Sequence, residues 1–252
     1  MKGGIVMNRF VIGDVHGKLD MLERLLMEWN PDNEKLILLG DLIDRGPDSY
    51  GVVALARKLK EVYGAEIVGG NHDQMFIDWL NLPESFYYYS QGGAVTIDSF
   101  FKEPTAYVYR PEHIAKRMLE MFPEEISFLS ELKDYAEWRD YVFVHAGVEL
   151  TYLDWRETSA VDFRWMRGDF HYENNHTGKT FIFGHTPTHF LNPDGSADVW
   201  LSPCKTKIGI DGGAVFGGRG RLHGLKIDED NLLSIHSVSS ELEVETKHLL
   251  FN

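Results

Sequence analysis

Leu36-Ile37-Leu38-Leu39-Gly40-Asp41 decides how this 252-residue chain is read: an unbroken apolar run is stopped by a glycine and then a carboxylate. Such a run, bounded by glycine, reads as a buried strand. Upstream, Phe10-Val11-Ile12-Gly13-Asp14-Val15-His16-Gly17 repeats the design. Downstream it recurs in Ile67-Val68-Gly69-Gly70-Asn71-His72-Asp73, Tyr141-Val142-Phe143-Val144-His145-Ala146-Gly147, Phe181-Ile182-Phe183-Gly184-His185 and Ile208-Gly209-Ile210-Asp211-Gly212-Gly213. A polar side chain just past a buried strand is held on a rigid element, near where open α/β sheets bind ligands. Carboxylate, amide and imidazole recur at these ends without a thiolate, a donor set suited to Mn, Fe or Zn.

The stretches between these runs predict an α/β chain. Leu19, Leu22, Leu25, Leu26 and Trp29 share a helical face, with Asn30-Pro31-Asp32 as the stop. Val52, Val53, Leu55, Ala56 and Leu59 repeat that pattern up to Tyr63-Gly64. This βαβαβ order implies parallel strands. From about Gln74 to Glu137 the chain is rich in Met, Tyr and Phe, with helical spacing in Ile114, Met118, Leu119 and Phe122. It reads as a mainly helical insert beside the sheet. Leu222–Asp228 and Leu232–Val238, joined through Asp230-Asn231, predict an antiparallel hairpin. The charged tail after Ser239 receives no element. Residues 1–252 read as one domain.

The formal net charge of −14 argues against duplex nucleic acid as a partner. An anionic substrate stays compatible with it, because two divalent ions would bring −14 to −10 and a few arginines can form a local positive well. No stretch has the length and apolarity to span a bilayer. Met1-Lys2-Gly3-Gly4-Ile5-Val6-Met7 lacks a leader-like apolar core, and Cys204 is the single cysteine, so a cytoplasmic protein without an intrachain disulfide is expected.

Asp14 and His16 stand two apart, so in extended geometry both would face one ion. Asp41 would add a carboxylate able to bridge two cations, and Asn71, His145 and His185 would hold the second. Two ions about 3.5–4 Å apart clamp an in-line displacement at phosphorus. Arg45 so near such a centre calls for an anion between them, and a phosphate suits its planar fork. His72 could protonate the leaving oxygen, with Asp44 orienting it.

Gly13-Asp14-Val15-His16-Gly17, Gly40-Asp41-Leu42-Ile43-Asp44-Arg45-Gly46 and Gly70-Asn71-His72-Asp73 together resemble the signature of the phosphoprotein phosphatase family of metallophosphoesterases. His145-Ala146-Gly147 and Gly184-His185-Thr186 extend the resemblance in order, and the Phe183-Gly184-His185-Thr186-Pro187 form is more like bacterial and phage serine/threonine protein phosphatases than eukaryotic ones. The resemblance implies a calcineurin-like α/β sandwich of two mixed sheets flanked by helices. It implies a dinuclear centre, usually active with Mn, and direct hydrolysis without a phosphoenzyme. It assigns Asp14, His16 and Asp41 to one metal, and Asp41, Asn71, His145 and His185 to the other. His72 becomes the acid, Asp44 its partner and Arg45 a phosphate clamp. A second phosphate-binding arginine is expected at Arg167, with Arg164 as runner-up. Asp73 stands where the family usually has Glu and is expected to support rather than ligate.

The leading expectation is a phosphatase acting on phosphorylated Ser, Thr or Tyr in proteins. Relatives that share these motifs cleave diadenosine tetraphosphate, which makes a dinucleoside polyphosphate hydrolase the alternative. A non-catalytic phosphoprotein-binding module is the alternative from another class. Asp211 reads as a turn residue, His223 and the remaining histidines as packing or surface, and Phe86-Tyr87-Tyr88-Tyr89 as packing within the helical segment.

Overall fold

The computed structural model describes residues 7–84 and 86–249; the N-terminal stretch Met1–Val6, read above as lacking a leader, lies outside them. The first half runs β1 (Asn8–Ile12), α1 (Leu19–Leu26), β2 (Glu34–Leu38), α2 (Ser49–Tyr63), β3 (Glu66–Ile67) and α3 (Asn71–Asn81). A helical stretch follows: α4 (Phe86–Tyr88), a π-helical turn over Tyr89–Gly93, α5 (Ala94–Phe101), α6 (Pro111–Met121) and α7 (Pro123–Ser130). Then come β4 (Tyr135–Trp138), β5 (Tyr141–Val144), α8 (Ala160–Trp165), α9 (Asp169–Tyr172), β6 (Thr180–Phe183), β7 (Trp200–Leu201) and β8 (Lys207–Gly209). The chain closes with β9 (Arg221–Ile227), β10 (Leu233–Ser239) and β11 (Val244–Leu249).

Among the described residues the strands form two mixed sheets, ordered β11-β10-β9-β1-β2-β3 and β4-β5-β6-β8-β7. The βαβαβ expectation holds: β1, β2 and β3 are parallel. The second sheet repeats this at β5, β6 and β8. The runs of the central strands, such as β5 and β6, are apolar without alternation because these strands are covered on both faces. Val11, Ile37, Phe143, Ile182 and Ile208 point between the sheets into one core. Phe10, Ile12, Leu36 and Leu38 point outward under α1, α2 and the 71–130 helices. Val142, Val144, Phe181 and Phe183 point the other way, onto Trp155, Phe163 and Phe170. The layers are therefore helix, sheet, sheet, helix, as the resemblance implied.

Three local expectations need correction. Helix α1 ends at Leu26 rather than at Asn30, because Met27, Glu28 and Trp29 bond back only three residues. Tyr135 and Ala136, read with the helical segment, instead open β4 against Val144 and Phe143. The tail after Ser239 forms β11, paired antiparallel with β10. Its Glu245 and Lys247 are the exposed charges expected of an edge strand, and they hid the strand from a hydrophobic reading.

Candidate metal centre

The parallel strands aim their C-terminal ends at one place. Asp14 and His16 follow β1, Asp41 follows β2, Asn71 opens α3 just past β3, His145 follows β5, His185 follows β6 and Asp211 follows β8. All seven are buried. Such crevices at carboxyl ends are where open α/β sheets take ligands. The loops approach so closely that a side chain on Gly70 would strike the backbone and carboxylate of Asp41.

The route into the site differs from extended strand ends. His16, Asp41, Asp44, Arg45 and His185 all take left-handed backbone, with φ of 46°, 47°, 71°, 69° and 62°. Such conformations cost non-glycine residues about 1–3 kcal/mol each and gather at functional sites. His16 thus reaches the centre through a sharp turn, not through the period of a strand.

Two compact clusters result, His16-Asp41-His72 and Asp41-His145-His185, each with its potential ligand atoms within 4.8 Å of one another. Asp41 belongs to both: Oδ2 lies 3.4 Å from His16 Nε2, and Oδ1 3.4 Å from His145 Nε2. His16 Nδ1 is 2.8 Å from the Ile43 carbonyl and His145 Nδ1 is 2.7 Å from that of Leu39. A carbonyl only accepts, so each Nδ1 carries the proton and each Nε2 turns a lone pair toward Asp41. Asn71 Oδ1 sits 3.1 Å from His145 Nε2, another pairing of lone pairs, and 2.8 Å from His185 Nδ1. His185 Nε2 is buried, with no hydrogen-bond partner among the described residues. Lone pairs converging on carboxylate and amide oxygens make a fitting cradle for divalent cations.

Protonation points the same way. Burial lowers His16 to about 3 against the pull of Asp41, and it lowers His145 and His185 as well. Neutral imidazole is the ligand form. Burial pushes Asp41 up, but His145, His72 and His16 draw it well below the ordinary carboxylate range. Burial, with Asp211 and Asp41 nearby, pushes Asp14 well up. Burial likewise raises Asp211 to about 6, Gly213 N–H opposing and Asp41 adding. A group of buried carboxylates that crowd one another is a demand for positive charge. Asp14 lies outside the two tight clusters; its oxygens accept from His185 N at 3.0 and 3.1 Å.

A cavity of about 340 Å³ lies over the centre, lined by Asp41, Asn71, His72 and His185 and flanked by Arg45 and Arg167. Arg45 reaches in directly, with Nη1 2.8 Å from His16 Nε2 and Nη2 2.7 Å from His72 Nε2. The imidazole lone pairs of His16 and His72 accept from the guanidinium there. His72 Nδ1 is 2.8 Å from Asp44 Oδ2. Burial works against protonating His72, but Asp41 and the Asp44 bond outweigh it and raise its pKa.

Of the two candidate arginines, Arg167 lines the cavity, held by Thr186 Oγ1 and the His185 carbonyl at 2.9 and 3.1 Å. Arg164 turns elsewhere, to Gln74 Oε1 at 2.6 Å and Asp134 Oδ1 at 2.8 Å. Asp73 staples two loops, accepting from Leu42 N at 3.0 Å and Gly70 N at 2.9 Å. His223 bonds Ser237 Oγ and the Ala197 carbonyl, away from the cavity. Asp211 does accept its turn bond, from Gly213 N at 2.8 Å, yet it also adds charge to the centre.

Reading the sequence missed the aromatic rim of Trp165, Phe190 and Phe216, and the partners of Asp44, which are Ser49, Tyr88 and Thr96. Tyr88, expected to pack within the helical segment, also donates to the Asp44 carboxylate. The aromatic-rich composition of 86–89 was a signal, but nothing local shows that one of those hydroxyls meets a carboxylate 44 residues away.

The chain resembles serine/threonine-protein phosphatase 1 of Salmonella typhimurium at 31% identity over 220 residues, covering 83% of this chain and 88% of the relative. It resembles the asymmetrical bis(5'-nucleosyl)-tetraphosphatase PrpE of Oceanobacillus iheyensis at 26% identity over 257 residues, covering 90% and 91%. The crystal structure of a cold-active protein-tyrosine phosphatase from a psychrophilic Shewanella shares the fold, with a TM-score of 0.60 at 17% identity, covering 96% of this chain and 80% of that one. The profile of the calcineurin-like phosphoesterases matches residues 7–218, most of the chain and every loop of the centre. This protein therefore belongs to the calcineurin-like phosphoesterase family.

Proposed function

We propose that this metallophosphoesterase hydrolyses phosphate monoesters on serine and threonine side chains of proteins, with phosphotyrosine as a further substrate. The observation that carries this reading is the pair of guanidiniums, Arg45 and Arg167, facing one small cavity above the Asp41 clusters. That arrangement suits a single phosphoryl group, whose oxygens match the planar guanidinium fork. Asp14, His16 and Asp41 would hold one divalent cation, and Asp41, Asn71, His145 and His185 a second, with Mn the best suited and Fe or Zn also compatible with the donors. Bound there, the pair would supply Lewis acidity toward phosphoryl oxygens and lower the pKa of water.

The side chains of this protein do the remaining work. Arg45 and Arg167 bind and orient the phosphoryl oxygens. Asp44 fixes His72 through Nδ1, leaving Nε2 to deliver a proton to the ester oxygen as its bond to phosphorus breaks. That Nε2 faces Arg45 here, so the guanidinium shifts its bond to phosphate when an ester enters.

A second reading rests on a separate observation. A neighbouring cavity of about 360 Å³ shares the Phe216 wall and is lined by His189, Arg219 and the glycine-rich 217–220 loop. A leaving group larger than a side chain would fit it, and the Oceanobacillus relative is named for dinucleoside tetraphosphates. Turnover of a phosphoserine peptide against diadenosine tetraphosphate, on the Mn-loaded protein, separates the two. Higher kcat/KM on the peptide is expected; a preference for the nucleotide by orders of magnitude reverses the assignment. Absence of p-nitrophenyl phosphate hydrolysis after Mn loading would leave only a phosphoprotein-binding module.

A further inference from the structure

Asp44 has no solvent exposure, and both of its carboxylate oxygens are engaged. Oδ2 meets His72 Nδ1. Oδ1 accepts from Tyr88 Oη at 2.8 Å and from Thr96 Oγ1 at 2.7 Å. The Thr96 oxygen also takes the Asp44 N–H at 2.9 Å and lies 2.9 Å from Ser49 Oγ. Thr96 has one hydrogen to give, and it goes to Oδ1. The single hydroxyl hydrogen of Tyr88 goes there too.

Tyr88 cannot easily turn away. Its ring is 2% exposed and packs among Trp79, Phe76 and Tyr89 at centroid distances of 5.5, 6.1 and 6.5 Å. The next turn presses on the neighbouring residue: Arg45 N donates to the Gly92 carbonyl at 3.4 Å. Gly92 has φ of 102°, and a Cβ there would lie 2.7 Å from Arg45 N. Residues 88–96 thus grip the left-handed Asp44-Arg45 turn from the helical side. Tyr88 does not itself line the cavity.

We propose that Tyr88 is a positioning residue for the hydrolysis: its hydroxyl, beside that of Thr96, locks the Asp44 carboxylate and through it the His72 imidazole. This rests on the reading of His72 as the proton donor. A carboxylate with no solvent exposure, held on one oxygen by two neutral donors, has one orientation; with one donor removed it can rotate, and the imidazole loses its fixed direction. Packing alone would be preserved by Tyr88→Phe, which keeps the ring and removes only the oxygen.

The test uses Mn-loaded wild type, Tyr88→Phe and His72→Asn on p-nitrophenyl phosphate and phenyl phosphate. Nitrophenolate departs readily without a proton, whereas phenolate, with a conjugate acid near pKa 10, needs one. Tyr88→Phe is expected to lower kcat on phenyl phosphate about tenfold, several-fold more than on p-nitrophenyl phosphate, with KM and bound metal unchanged. His72→Asn should show the same selectivity, larger. An equal loss on both substrates, or no loss on either, overturns the role of Tyr88 while His72 stands. A His72→Asn protein without leaving-group selectivity removes the proton donor, and the positioning role falls with it.

Discussion

The strand-end face of the site and its helical wall are built from opposite materials. The strand ends bring buried carboxylates, imidazoles and an amide, several of them on left-handed backbone. The wall formed by α4, the π-helical turn and α5 brings neutral polar groups and aromatic rings; it meets the site at Asp44 and Arg45, and Gln91 lines the cavity. One face bears charge that is costly to bury and so demands a cation. The other has almost no charge to place and supplies orientation. The contrast implies a gradient: changes at the strand ends should remove metal and turnover together, changes at the contact between the faces should remove turnover alone, and changes deeper in the helices should touch only stability.

Asp41→Asn should have the largest effect. Its two oxygens face different clusters, so a neutral amide would weaken both sites and lower kcat/KM about 10³-fold or more. Metal analysis checks the bridge: two ions still bound per chain would break the assignment. His72→Asn comes next, because it removes the proposed proton donor while leaving the cluster of Asp41, His145 and His185 intact. The expected loss is about 10²–10⁴ in kcat with metal content unchanged. His72 also falls within the other cluster, with His16 and Asp41. Loss of one metal from the variant would make it a ligand and move the boundary between chemistry and orientation.

Arg167 and Arg164 sharpen the boundary further, since they sit three residues apart and serve different faces. Arg167→Ala should raise KM for p-nitrophenyl phosphate about tenfold, one charge-assisted phosphate contact being lost. Arg164→Ala should leave KM alone and lower stability by about 1–2 kcal/mol, because Gln74 and Asp134 lose a partly buried partner. Steady-state kinetics beside thermal unfolding separates them, and a KM effect from Arg164 would exchange their roles.

What the sequence discloses follows the same division. The strands of the parallel cores were legible because burial on both faces leaves an unbroken apolar run, and the candidate ligands because each follows such a run within a few residues. Their spacing was informative even where its explanation was not: the period of an extended strand pointed to His16, whereas a left-handed turn delivers it. Positive φ on Asp41, Asp44 and Arg45 is not legible from residue type alone: Asp adopts such backbone more readily than most residues, yet most Asp residues do not. The helical wall was illegible for a related reason. Tyr88 and Thr96 reach Asp44 across 44 and 52 residues, and an aromatic or a threonine on a helix looks the same whether its hydroxyl meets a carboxylate or water. Nor does residue type tell Arg167 from Arg164: Arg164 leaves α8 toward Gln74 and Asp134, whereas Arg167, two residues past its end, turns to Thr186 beside the cavity.

The smallest expected effect lies farthest from the centre and tests the gradient most severely. Arg57 on α2 reaches the first turn of α7, with Nη1 2.6 Å from Glu125 Oε1 and Nη2 2.6 Å from Glu124 Oε2. Burial opposes the shift, but the Glu124 bond and the acids around it raise the guanidinium pKa. Glu124 is 75% exposed at its side chain and Glu125 13%, so the Glu125 arm carries most of the pairing energy. Solvent screening limits the pair to about 1 kcal/mol, and Arg57→Ala should lower Tm by about 2–4 °C in a chain of this size. None of these side chains lines the cavity over the Asp41 clusters. If the helices only carry the orienting wall as a rigid body, kcat, KM and leaving-group selectivity will all match wild type. A fall in kcat on phenyl phosphate at full metal occupancy would mean that motion of α7 reaches Asp44, and the two faces would then have to be treated as one mechanical unit.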